Sequence, residues 1–222
     1  TSAGCKFPGL DTEPTLGFNA GMRGKKSSIY EGGHRVPFFL HWPSAGYSEG
    51  RDIETLSAHI DVLPTLADLC KLPKPDKRFD VDGLSLTPLL AGKAKSWKRN
   101  HLFLQYHGGA HHKFALGPLT NSVVMSERWR LVNTDKAEEL YDIVNDPAQR
   151  NNIASQRPGF VKDLRTAYQA FWQRVSSGLK PVAIDLGDLS ENPSVLCSQD
   201  WRPETGNPPW NFSSIKKIPK VT

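Results

Sequence analysis

The 222 residues, 38% of them hydrophobic and 23% charged, fall in the ordinary globular range and suffice for one domain or a domain plus a fragment. No stretch approaches the roughly 18 apolar residues that a membrane span requires, and three cysteines, Cys5, Cys70 and Cys197, exclude a disulfide framework and a CxxC site while leaving one bridge open. The net charge of +5 favours anionic partners, but the basic residues are dispersed and lack the stripe with interleaved aromatics that marks a nucleic-acid interface.

From Thr1 to about Gly24 the chain is rich in Gly, Pro and Thr without periodicity, which reads as a surface loop. Arg35 to Trp42 is short and nearly continuously apolar, the pattern of a strand buried on both faces inside an α/β sheet. Between Ser57 and Leu72, residues Ile60, Leu63, Leu66, Ala67 and Cys70 recur at helical spacing with Pro64 near the first turn, so an amphipathic helix is expected there. A Pro/Lys-rich break follows, and Asp82 to Leu90 reads as a short helix flanked by loops. His101 to Tyr106, Ser122 to Val132 and Glu139 to Ile143 read as strands close enough in sequence for an antiparallel meander. Pro158 to Ser177 carries a helical apolar stripe ending at Gly178, suited to cover one face of that sheet, and the remaining tail reads as irregular surface chain.

The segment Gly21-Met22-Arg23-Gly24-Lys25-Lys26-Ser27-Ser28-Ile29-Tyr30-Glu31-Gly32-Gly33-His34-Arg35-Val36-Pro37 resembles the second sulfatase signature, a Gly/Lys-rich stretch leading into Glu-Gly-Gly-x-Arg-Val-Pro. The resemblance extends through Asp61-Val62-Leu63-Pro64-Thr65, Asp82-Gly83-Leu84-Ser85-Leu86 with Leu89-Leu90, Trp129-Arg130-Leu131-Val132, Glu139-Leu140-Tyr141-Asp142, Asp146-Pro147 and Asn151-Asn152-Ile153-Ala154; Gln149 stands where an acid is common. These motifs cover about Gly17 to Ala154 and are similar to the arylsulfatase-like branch of the alkaline-phosphatase superfamily.

The resemblance implies an α/β fold, specifically the C-terminal part of the alkaline-phosphatase-like sulfatase fold. Residues 1–95 would be the end of the catalytic α/β domain, and residues 96–222 a small antiparallel β-sheet plus helix subdomain with an irregular tail. Counted back from Glu31, the family's sulfate-contacting lysine maps to Lys26 and not to Lys25. A lysine there stabilises negative charge developing on a sulfate ester during cleavage. Glu31 and Arg35 are expected to support the site geometry, Arg35 by pairing with Glu31 or another carboxylate, while Gly32 and Gly33 relieve backbone strain in a tight turn.

Sulfatases use formylglycine, made from the first residue of a Cys/Ser-x-Pro-x-Arg motif, together with a bound divalent cation. Neither Cys5-Lys6-Phe7-Pro8-Gly9 nor Cys70-Lys71-Leu72-Pro73 nor Cys197-Ser198-Gln199 has that form, so the cysteines are read as structural. The family's Ca2+ ligands are expected outside this chain, no metal ligand is assigned within it, and the fragment alone is expected to be inactive.

His111 and His112, with His107, form the densest titratable cluster; they read as an exposed loop or as contacts to the organic part of the substrate. His59 and Asp61, two apart, do not share a helix face, so Asp61 reads as structural. The expected partner is a sulfated small molecule or carbohydrate, with no nucleic acid and no membrane, in a periplasmic, secreted or lysosomal setting. Two alternatives stand beside sulfate-ester hydrolysis: a phosphate or phosphonate ester hydrolase of the same superfamily, and a non-catalytic sulfate- or glycan-binding module.

Overall fold

The computed structural model describes residues 20–26, 28–73, 81–93, 95, 97–106, 121–134, 136–177, 190 and 193. The larger of two compact units comprises Thr1–Tyr106 with Leu119–Phe171; the smaller comprises His107–Pro118 with Trp172–Thr222.

The organising element of the larger unit is a four-stranded antiparallel meander, β1 (Leu102–Gln105), β2 (Ser122–Met125), β3 (Trp129–Asn133) and β4 (Glu138–Asp142), in the order β1-β2-β3-β4. Register places Phe103 beside Val124, Val124 beside Leu131 and Leu131 beside Leu140, so these four alternate residues line one face. Helix α4 (Pro158–Ser176) covers that face. Phe171 stacks on Phe103 with ring centroids 4.4 Å apart, and Phe160 lies 4.8 Å from Trp129. Arg165 of α4 forks onto the carboxylate of Glu138 at the sheet edge.

The opposite face follows by the same two-residue period. Leu102, Val123, Met125, Val132 and Tyr141 pack there against Ile29, with Leu56, Ala58 and Ile60 joining from the preceding segment. Arg130 and Glu139 share this face because Arg130 pairs with Tyr141 and Val132 with Glu139. The meander therefore sends charged side chains toward the segment containing Lys26.

The helical segment after Ser57 is shorter than its periodicity suggests. A 3-10 turn, His59–Asp61, precedes α2 (Val62–Leu69), and α3 (Thr87–Leu90) packs nearby. Asp61, fully buried, holds these pieces together. Its carboxylate accepts the N–H groups of Ala58 and Leu84, both at 2.8 Å, and the guanidinium of Arg99. Thr65 continues the clamp, donating to the Asp61 carbonyl and accepting the Leu86 N–H at 2.8 Å. The structural reading of Asp61 thus holds, with Asp61 joining three segments that are distant in sequence. Asp61→Ala would strand Arg99, whose side chain is 6% exposed, so a loss of about 3–5 kcal/mol is expected in a urea titration.

Three expectations are corrected. Residues Arg35 to His41 have no regular secondary structure and lie in no sheet among the described residues, and Val36, Phe38 and Phe39 are exposed, Phe39 to 90%. A strand buried on both faces needs a partner on each side, and only the isolated Trp42–Tyr47 bridge occurs here. In α2 the side chains of Leu63 and Leu66 are likewise exposed. Cys70 is a free, exposed thiol and not a buried packing residue; Cys5 and Cys197 lie outside the described residues. No described helix is long and apolar enough to cross a membrane.

Candidate functional site

The loop of residues 21–28 is shaped by what lies beneath it. Glu31–His34 forms a single helical turn, α1, in place of the expected tight turn. Its glycines have a different purpose from relief of backbone strain, since neither adopts positive φ. A Cβ on Gly33 would fall on the carbonyls of Ser28 and Lys25, and one on Gly32 on the carbonyls of Gly24 and Arg23. The lysine loop therefore rests backbone to backbone on α1, fastened by Gly32 N–H donating to the Arg23 carbonyl at 2.8 Å. Gly24, with φ of +88°, makes the bend that allows this.

Glu31 sits at the centre of the support, with 2% exposure. Arg130 Nε donates to Glu31 Oε1 at 2.6 Å, and its Nη1 donates to the carbonyls of Ser126 and Trp129. Arg35 also faces Glu31, at 3.8 Å, but from a largely exposed position. The expected Arg35–Glu31 pair is present, while the buried partner is Arg130, which the sequence presented only as part of a strand motif. His34 Nε2 lies 3.7 Å from Glu31 Oε1, and burial pushes the imidazole below its ordinary value.

A second anchor comes from the turn after β4. Gln149 is fully buried with φ of +51°, and its Oε1 accepts the Glu31 N–H at 2.8 Å. Asp146 shapes this turn, its carboxylate accepting the N–H groups of Arg150 and Asn151. The position where an acid is common in the resembled pattern thus holds the backbone of α1.

Arg23 completes the link to the sheet. Its guanidinium lies 3.8 Å from the centre of the Tyr30 ring and donates to Tyr141 Oη at 2.7 Å. Both phenols donate to Glu139 Oε2, Tyr30 at 2.8 Å and Tyr141 at 2.7 Å. Burial and then the Glu139 carboxylate push the Tyr30 phenol up to about 12, and the same causes raise Tyr141, so both remain protonated donors at neutral pH.

Lys26 itself lies on the turn of this loop with an exposed side chain, next to the exposed Lys25. The structure therefore gathers Lys26, Glu31 and Arg35 within one segment braced by Arg130 and Gln149. His111 and His112 lie outside the described residues. No three His, Cys, Asp or Glu side chains converge to hold a metal ion among the described residues, which do not fit a divalent-cation centre.

Comparison with known proteins identifies the family. A family described as N-sulphoglucosamine sulphohydrolase, C-terminal, matches residues 23–169. Mouse steryl-sulfatase is 38% identical over 186 residues, covering 74% of this chain and 30% of the mouse protein. The N-acetylgalactosamine-6-O-sulfatase of Bacteroides thetaiotaomicron is 26% identical, covering 64% of this chain and 28% of that protein. A solved structure concerned with glycosaminoglycan metabolism by Bacteroides thetaiotaomicron aligns with a TM-score of 0.54 at 25% identity, covering 68% of this chain and 32% of that one. The chain thus spans less than a third of the length of these relatives.

Proposed function

This chain belongs to the sulfatase family as a C-terminal portion of it, and from that premise we propose that its parent hydrolyses a sulfate ester with Lys26 contacting the sulfate. The observation that carries the reading is the family match over 23–169, which contains the Lys26 loop together with both of its braces, Arg130 and Gln149. An ammonium group held at a fixed place stabilises charge on a sulfate more effectively than one that must be ordered during the reaction.

In this reading Glu31 and Arg35 act on the site indirectly. Glu31 ties α1 to Arg130, and α1 carries the lysine loop on Gly32 and Gly33. Residues 1–95 would form the end of the catalytic α/β domain and residues 96–222 the C-terminal subdomain. The exposed Val36, Phe38 and Phe39 would be the face that the rest of the α/β domain covers. The formylglycine nucleophile and the Ca2+ ion would be contributed from outside the described residues, and the chain by itself would be inactive. His111 and His112 would contact the organic part of a sulfated small molecule or carbohydrate.

The test is hydrolysis of 4-nitrophenyl sulfate and 4-nitrophenyl phosphate by the full-length parent. The expected result is a higher kcat/KM for the sulfate. A preference for the phosphate would overturn the reading in favour of phosphorus chemistry on the same scaffold.

A further inference from the structure

A hollow of about 830 Å3 opens between the lysine loop and the turn after β4. It has room for more than a single ion. Three cationic residues line it, Arg23 and Lys25 from the loop and Arg150 from the turn, and no acidic residue does so among its described lining. Arg23 is partly engaged by Tyr141 and Glu139, whereas the side chains of Lys25 and Arg150 lie on the exposed rim.

Two further observations set this hollow apart from a chance gathering of surface charge. Gln149, which lines it, is fully buried, and its Nε2 has no hydrogen-bond partner although its Oε1 is engaged by Glu31 N–H. A buried amide donor without an acceptor costs on the order of 1–3 kcal/mol unless something supplies one. The backbone around the hollow is also held in the left-handed region at Gly21, Gly24 and Gln149. For a non-glycine such as Gln149 that conformation is disfavoured and concentrates at ligand-contacting positions.

We infer that this hollow is a second anion subsite beside Lys26, taking an additional sulfate or carboxylate of a polyanionic saccharide through Lys25, Arg150 and the amide of Gln149. The inference rests on the sulfatase reading for its neighbour Lys26, but the subsite has its own readout. Lys25 and Lys26 then divide the work: adjacent in sequence, one serves the second anion and the other the ester to be cleaved.

The test is calorimetric binding of a hexosamine monosulfate and the corresponding disulfate to the full-length parent. The disulfate is expected to bind about tenfold more tightly, as one extra charge-assisted contact implies. In the Lys25→Ala/Arg150→Ala double variant that ratio should fall to about one, and Gln149→Met should reduce it without abolishing it. Equal affinities in the unmodified protein, or a ratio that survives the double variant, would overturn the subsite. Failure to hydrolyse 4-nitrophenyl sulfate would instead remove the sulfatase reading and leave the binding ratio to stand or fall independently.

Discussion

Lys26→Ala in the full-length parent is expected to lower kcat/KM for 4-nitrophenyl sulfate about 10²–10³-fold, the usual cost of removing one preorganised charge-stabilising group. Lys25→Ala should cost far less on this singly charged substrate, because Lys25 lines the neighbouring hollow. The measurement is steady-state kinetics of both variants beside a circular dichroism check of folding. A larger loss from Lys25→Ala would move the sulfate contact to that residue and refute the register counted from Glu31. Both side chains are exposed on a loop, and exposed lysines are seldom needed for folding, so a loss of rate here reports on chemistry.

Arg130→Ala should cost about 3–5 kcal/mol of stability, because it leaves Glu31 buried with its principal partner removed. Arg35 does not rescue it, being largely exposed and 3.8 Å away. Arg130→Lys should recover only part of the loss, since one ammonium cannot reproduce a guanidinium that reaches Glu31 and the carbonyls of Ser126 and Trp129 together. Chemical denaturation gives the stability, and kcat of the folded fraction gives the second readout. If the α1 turn positions Lys26, kcat falls in Arg130→Lys even under conditions where the protein is fully native. An unchanged kcat with reduced stability would assign Arg130 to folding alone.

Much of the meander was legible because its signal is local. The β-forming residues of β2 to β4 and the apolar stripe of α4 each belong to one segment; α4 buries Val161, Leu164 and Tyr168 of its stripe, whereas β2 is buried on both faces. The Arg35 to Trp42 run misled for the converse reason. Its apolar composition describes a strand with neighbours on both sides, and no periodicity within eight residues says whether those neighbours lie nearby in the chain. Asp61 was readable as structural because of its spacing from His59, yet its grip on Leu84 and Arg99 spans 23 and 38 residues and left no local trace.

The opening loop shows the same boundary at the level of the site. Amino-acid order alone determined that the chain resembles a sulfatase C-terminal portion, that Lys26 and not Lys25 occupies the signature register, and that Glu31, Gly32 and Gly33 follow at fixed spacing. Only the tertiary structure decided what those residues rest on. Arg130 and Gln149, 99 and 118 residues from Glu31, reach it because strand pairing turns Arg130 toward the lysine loop and a left-handed turn brings Gln149 beneath α1. A charge buried beside a loop must find its partner wherever the fold delivers one, and that choice is made by packing across the sheet, not by neighbours in the sequence.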